Sequence, residues 1–158
     1  MKNSKRKLKK LPPNIIAENN SILYLTLDES KLLGFKDEGN KQQPYIVLKY
    51  YQKKFECFSE WTAKELKEFS VFNEKLTSST WGDIHNSASK TLGYKTGFGY
   101  TIHKNKDILP NQDVLEKLSA DLTYFELRVN DKLRVHGFRI KAAFCLLWLD
   151  REHKIYKD

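Results

Sequence analysis

Apolar and polar positions divide the chain into a polar start, a mixed middle and an apolar-rich last third. In residues 45–58, Tyr45, Val47, Lys49 and Tyr51 share one parity, and Ile46, Leu48 and Tyr50 share the other. Apolar groups on both parities predict a strand inside a sheet. Gln52-Lys53-Lys54 predicts a turn into a partner strand at Phe55-Glu56-Cys57-Phe58. Upstream, Ile22 to Leu27 is a short β-type run, followed by a polar loop from Lys36 to Gln43 that ends at Pro44.

The next segment carries the plainest local grammar. Thr62 and Glu65 have the spacing of a capping box, with Trp61 and Leu66 at the positions of a hydrophobic staple. Leu66, Phe69, Phe72 and Leu76 then recur at helical spacing. The expectation is a helix from Ala63 to Leu76, then a second, shorter one from Trp81 to about Ser89, started by Thr80 and Asp83. Residues 91–111 read as irregular, with Gly93, Gly97 and Gly99 among aromatics and no phosphate-loop spacing. A short helix capped by Asn111 is expected over Gln112–Ser119.

The last third reads as strand throughout. Phe125, Leu127 and Val129 alternate with Tyr124, Glu126 and Arg128. Asn130-Asp131 is a two-residue turn candidate. Leu133 and Val135 then alternate with Arg134 and His136, and Gly137 marks a bulge or bend. Ala142 to Leu149 is continuously apolar, the signature of a central strand. Lys154-Ile155-Tyr156 is expected to return as a short final strand. Together these predict an α+β fold, with a helical hairpin packed on a largely antiparallel sheet.

Length and charge refine this picture. A chain of 158 residues fits a single domain at 21–158 behind a basic flexible arm at 1–20. The formal charge of +8 is concentrated at the ends. Residues 1–10 hold six basic residues and no acid, and residues 122–158 hold 8 basic and 5 acidic residues. A basic excess points to a polyanionic partner or to a solubilising tail. No apolar stretch reaches membrane-spanning length, so no membrane partner is expected. Leu11-Pro12-Pro13-Asn14 stands where a secretory signal needs its apolar core, so no signal is expected. Cys57 and Cys145 make no disulfide framework, which suggests a cytoplasmic setting. The histidines lack HxxxH spacing and no CxxC occurs, so neither a structural zinc site nor any other cofactor is expected.

The candidate chemistry lies in the C-terminal strands. Arg128, Arg134 and His136 share the parity opposite the core, with Glu126 among them. That arrangement is either a solvated, salt-bridged sheet face or a cationic site for a phosphate. Asp150 ends the apolar run. It either accepts a backbone amide in the turn near His153 or orients that histidine. His85 and His103 show no convergent partner. A metal-dependent hydrolase built on Asp150 and His153 has too few ligands to stand on its own.

The order of elements and this C-terminal pattern resemble the RelE/ParE toxin superfamily. The residues that carry the likeness are Leu127-Arg128, Arg134-Val135-His136-Gly137-Phe138-Arg139, the run from Phe144 to Asp150, and His153-Lys154-Ile155-Tyr156. They are similar to the endings of small phage-type and prokaryotic proteins related to that group. The resemblance spans about residues 45–158, with the earlier residues as an N-terminal extension. It implies a RelE-like fold and, for the RelE branch, metal-independent cleavage of mRNA at the ribosome, neutralised by an antitoxin protein. Carried over by position, Arg134 and Arg139 hold phosphate and His136 or His153 is the base or acid. Arg128, Lys132, Lys141, Lys154 and Tyr156 are the further expected nucleic-acid contacts. The alternative reading is a non-catalytic nucleic-acid- or protein-binding module, related to phages or mobile elements.

Overall fold

The computed structural model describes residues 39–87 and 97–155, and the capped helix stands where its pattern puts it. Helix α1 spans Ala63–Thr77. The Thr62 hydroxyl accepts the Glu65 N–H at 3.3 Å, and the Glu65 carboxylate accepts the Thr62 N–H at 2.7 Å. Phe72 and Leu76 are buried, whereas Leu66 is 40% exposed. Trp61 instead packs edge-on against Phe69, with ring centroids 5.8 Å apart. At the far end the Thr77, Ser78 and Ser79 hydroxyls donate to the carbonyls of Asn73, Glu74 and Lys75. Those carbonyls lie in the last turns, whose final four have no partner further along the helix.

Helix α2, Trp81–Asn86, starts from a second capping box between Thr80 and Asp83 and ends earlier than expected. Trp81 is fully buried, and its indole N–H donates to the Ala142 carbonyl at 3.0 Å. Helix α3 is a single turn, Gln112–Leu115. Asn111 precedes it in left-handed backbone, φ 54°, and gives no side-chain cap, contrary to expectation.

The strands are β1 Tyr45–Val47, β2 Thr101–Ile102, β3 Tyr124–Arg128, β4 Arg134–Ile140 and β5 Ala143–Asp150. They form one five-stranded sheet in the order β1-β5-β4-β3-β2. The β1–β5 pair is parallel and the others are antiparallel. The fold is therefore α+β with a mixed sheet. No described helix is long and apolar enough to cross a membrane.

Three local expectations fail. Residues 48–58 do not continue β1 into a hairpin: they run through turns, with Glu56 at φ 45° and a short 3-10 turn at Phe58–Glu60. The β3–β4 connection is not a two-residue turn, because Arg128 pairs with Arg134 and residues 129–133 form the loop. The Asn130 side chain organises that loop by accepting the N–H groups of Lys132 and Leu133 at 2.9 and 2.7 Å. Residues 154–155 are not strand. Residues 1–20 and the run Ile22 to Leu27 lie outside the described residues, as does Tyr156.

Gly137 does mark a bulge. Pairing shifts register between His136 and Gly137, so His136 faces Trp148 and Gly137 faces Leu146. Leu147 is the extra residue, and both it and Trp148 join the same apolar cluster. A Cβ at position 137 would lie 2.1 Å from the Cys145 carbonyl oxygen, so only glycine fits there.

Each sheet face has its own core. On one, Phe125, Leu127, Val135, Phe144, Leu146 and Leu149 pack against Phe72, Leu76, Trp81 and Ile84 of the helices. On the other, Tyr124, Phe138, Cys145, Leu147 and Trp148 pack with Leu109 and Ile155. That second face stops being apolar partway along the strands, and the candidate site begins there.

Candidate functional site

Strand parity sends Glu126, Arg134 and His136 to the second face, and pairing sets them side by side. Glu126 faces His136, and Arg134 faces both Arg128 and Asp150. Sequence parity had placed this set correctly, but the face is not solvated. Glu126 and Arg134 are 4% exposed, and His136 and Asp150 are 0% exposed. Two segments outside the meander meet these residues. His103, just after β2 and itself buried, donates its backbone N–H to the Tyr124 carbonyl at 2.9 Å. His153 follows β5 in left-handed backbone, φ 55°, with its side chain 26% exposed.

The resulting contacts are close. His103 Nε2 lies 2.9 Å from His136 Nδ1, with the rings stacked at 5.1 Å between centroids. On its other side, His136 Nε2 lies 3.3 Å from Asp150 Oδ2. Asp150 also accepts the backbone N–H groups of Lys154 at 2.7 Å and Ile155 at 2.8 Å. The turn role foreseen for Asp150 is therefore present, but the histidine beside it is His136, not His153. His153 Nε2 is 3.3 Å from Glu126 Oε2. Glu126 Oε1 is 3.8 Å from Arg134 Nε.

Charge and burial fix the protonation pattern. Burial lowers the His103 pKa to about 4, and the neighbouring His136 adds to the effect. Burial also lowers His136, against the opposing pull of Asp150. Asp150 is lowered despite its burial, because His136 and two backbone amides bond its ionised form. The Asp150 carboxylate 3.3 Å from Nε2 favours the His136 proton there, with the Nδ1 lone pair then facing His103. Among the described residues, the donor atoms of His103, Glu126 and His136 all fall within 4.8 Å of one another.

The other expected site residues are spread over the sheet. Arg134 donates from Nη1 to the Asn130 carbonyl at 2.7 Å and the Leu133 carbonyl at 3.1 Å. It holds the β3–β4 loop and shows no face to a phosphate. Arg139 projects from the opposite face of β4 to His136. Its guanidinium binds the Lys141 and Gly39 carbonyls and the Asn40 side chain, over the Trp81 ring at 4.7 Å. Lys141 is exposed at the β4–β5 turn, the far end of β4 from Arg134. Lys154 Nζ pairs with Glu56 at 2.9 Å and Glu152 at 3.0 Å. Lys132 is exposed and lines a 470 Å³ cleft with Lys64, Glu65, Glu68 and Arg151, a mixed rather than cationic surface. Arg128 lies against Gly99, where a Cβ would meet its Nη2 at 2.8 Å.

The eight expected residues that are described therefore do not converge. His136 and His153 meet in one cluster, with Arg134 at its edge. The reading of His103 as a residue without a partner is overturned, because the β2–β3 pairing delivers it to His136. His85 is a packing group, 4.7 Å from the Tyr100 ring. Compared with protein-family models, curated proteins and solved structures, the chain matches none.

Proposed function

We propose that the protein acts on RNA as a toxin-like ribonuclease of the RelE/ParE kind, with His153 as the group that meets substrate. The supporting observation is the His153–Glu126 contact: a partly exposed imidazole at 3.3 Å from a buried carboxylate. A carboxylate behind an imidazole fixes its tautomer and supports its protonated form, which suits it to acid–base work on a 2′-hydroxyl and a leaving oxygen. The layering adds support, since two consecutive helices cover one face of an antiparallel β3–β4–β5 unit. His136 and Arg134 are support for this site rather than substrate contacts, because both are buried. An RNA on the ribosome is the substrate and an antitoxin protein the natural inhibitor in this reading.

Expression in bacteria tests it. Wild type is expected to arrest growth and to cleave mRNA in a purified translation system. His153→Gln is expected to do neither while keeping its circular dichroism and melting temperature. Absence of arrest and cleavage by wild type overturns the reading.

A second reading is favoured by the internal engagement of Arg134 and Arg139, which removes two phosphate ligands from the expected set. In it the protein binds nucleic acid without cutting. Binding then weakens steeply with salt, and deleting residues 1–10 reduces the slope. Salt-insensitive binding overturns it.

A further inference from the structure

We propose that His103 Nε2, His136 Nδ1 and the Glu126 carboxylate form a binding site for a divalent transition-metal ion, Zn2+ in the first instance, with Asp150 as the carboxylate that orients His136. The inference shares Glu126 with the RNA reading without resting on it, and it reverses the expectation of a chain without a metal site.

Three observations carry it. The first is spacing. Tetrahedral zinc with ligands about 2.0–2.2 Å away holds neighbouring donor atoms roughly 3.3 Å apart. The observed separations bracket that value, 2.9 Å for His103 to His136 and 4.0 Å for His136 to Glu126. The second is the carboxylate behind the ligand. A metal-bound histidine needs its other nitrogen protonated and held, and the Asp150 carboxylate stands 3.3 Å from that nitrogen of His136. Asp150 is itself held by two backbone amides. The third is charge. The Glu126 and Asp150 carboxylates are both buried, with His153 Nε2 3.3 Å and Arg134 Nε 3.8 Å from Glu126. A bound cation adds to the compensation of this buried negative charge.

The donor set selects the kind of metal. Two imidazoles and one carboxylate suit zinc and its neighbours in the first transition row. Calcium and magnesium prefer oxygen-only shells and are not expected to compete. Three protein ligands leave a coordination position for a non-protein group, and His153 stands beside the site through Glu126. In the loaded protein Glu126 is a ligand, so the metal changes what His153 contacts.

The experiment uses the full chain, purified metal-free and titrated with Zn2+ by calorimetry and elemental analysis. One Zn2+ per chain is expected, and Co2+ should give the intense visible absorption of a low-symmetry four-coordinate site. His103→Gln and Glu126→Gln are each expected to weaken binding at least tenfold. Asp150→Asn is expected to weaken it about tenfold to a hundredfold. His85→Ala should bind as wild type does. His153→Gln should keep the same stoichiometry, which separates this site from the proposed ribonuclease, where the same variant is inactive. Should a buried-site variant fail to fold, imidazole resonances of the wild type still decide the matter. Zn2+ should move those of His103 and His136 and leave His85 in place. Failure of the wild type to bind Zn2+ stoichiometrically overturns the proposal. So do unmoved His103 and His136 signals, or loss of binding in His153→Gln with His103→Gln unaffected.

Discussion

The sheet turns an apolar face to α1 and α2, and a reverse face that is apolar at one end and ionic at the other. Strand β4 shows the contrast within one turn of the pleat: Val135 is fully buried among aliphatic and aromatic neighbours, and Arg134 and His136 are buried on the other side among carboxylates. Burial on the first side follows from area alone, at roughly 25 cal/mol per Å² and without direction. Burial on the second depends on close polar partners, Arg134 and His153 beside Glu126 and His136 beside Asp150. Such a cluster is a weak source of net stability, and removing one member strands the rest. The largest expected effect follows from that asymmetry. Arg134→Leu removes the buried guanidinium beside Glu126 and the side-chain donor to the Asn130 and Leu133 carbonyls, of which Leu133 still accepts the Val129 N–H. Urea unfolding should show a loss of about 3–5 kcal/mol. A loss within about 0.5 kcal/mol, as at an ordinary surface position, would mean the ionic end does not depend on its pairing.

The apolar face should respond to volume instead. Leu127→Ala is expected to cost about 2–5 kcal/mol, as a buried leucine whose cavity only partly collapses. Leu127→Met, which conserves volume, should cost under about 1.5 kcal/mol. Isosteric change is thus mild on this side. If Leu127→Met proved as costly as Leu127→Ala, shape rather than apolar volume would govern that core.

The same contrast explains what could be read from the chain. Helix α1 and strands β3 to β5 were legible because their signals are local: a capping box, a two-residue alternation and an unbroken apolar run. The parity that gathers Glu126, Arg134 and His136 was legible for the same reason. Their burial was not, because the residues that meet them come from elsewhere in the chain. His103 arrives through a two-residue strand, too short to leave a periodic signal, and His153 through an irregular turn. The hairpin expected over residues 52–58 failed where Glu56 enters left-handed backbone, φ 45°. That geometry brings the Glu56 carboxylate to the Arg151 N–H and to Lys154, a long-range reward invisible in local pattern.

A smaller effect sharpens the boundary between the faces. Thr62 lies at the start of α1, and its box with Glu65 is solvent-exposed. Thr62→Ala should cost about 1 kcal/mol, the usual value for a lost N-cap. Thermal unfolding of the variant beside wild type measures it. A cost near that of Leu127→Ala would mean that α1 is held by its cap more than by Phe72 and Leu76.

Glu65 joins the two regions and carries the smallest predicted effect, a matter of pH. Its carboxylate accepts from Arg151 Nε at 2.8 Å and Nη2 at 3.0 Å, as well as from the Thr62 N–H. The Arg151 contact comes first among the causes that hold its pKa at about 2, well below the usual carboxylate range. A carboxyl group lowered on folding binds protons more weakly in the native state than in the unfolded one. Its stabilising contribution is therefore complete above the unfolded value, about 4.3, and fades as pH falls toward 2. The Arg151 and Glu65 side chains are both partly exposed, so salt should weaken the effect. Measured in urea between pH 5 and pH 2.5, wild type should lose stability more steeply than Glu65→Gln. The difference should shrink in about 1 M salt, where screening extends only some 3 Å. Parallel slopes for the two proteins would show that Arg151 and Glu65 meet without coupling the helix to the end of β5.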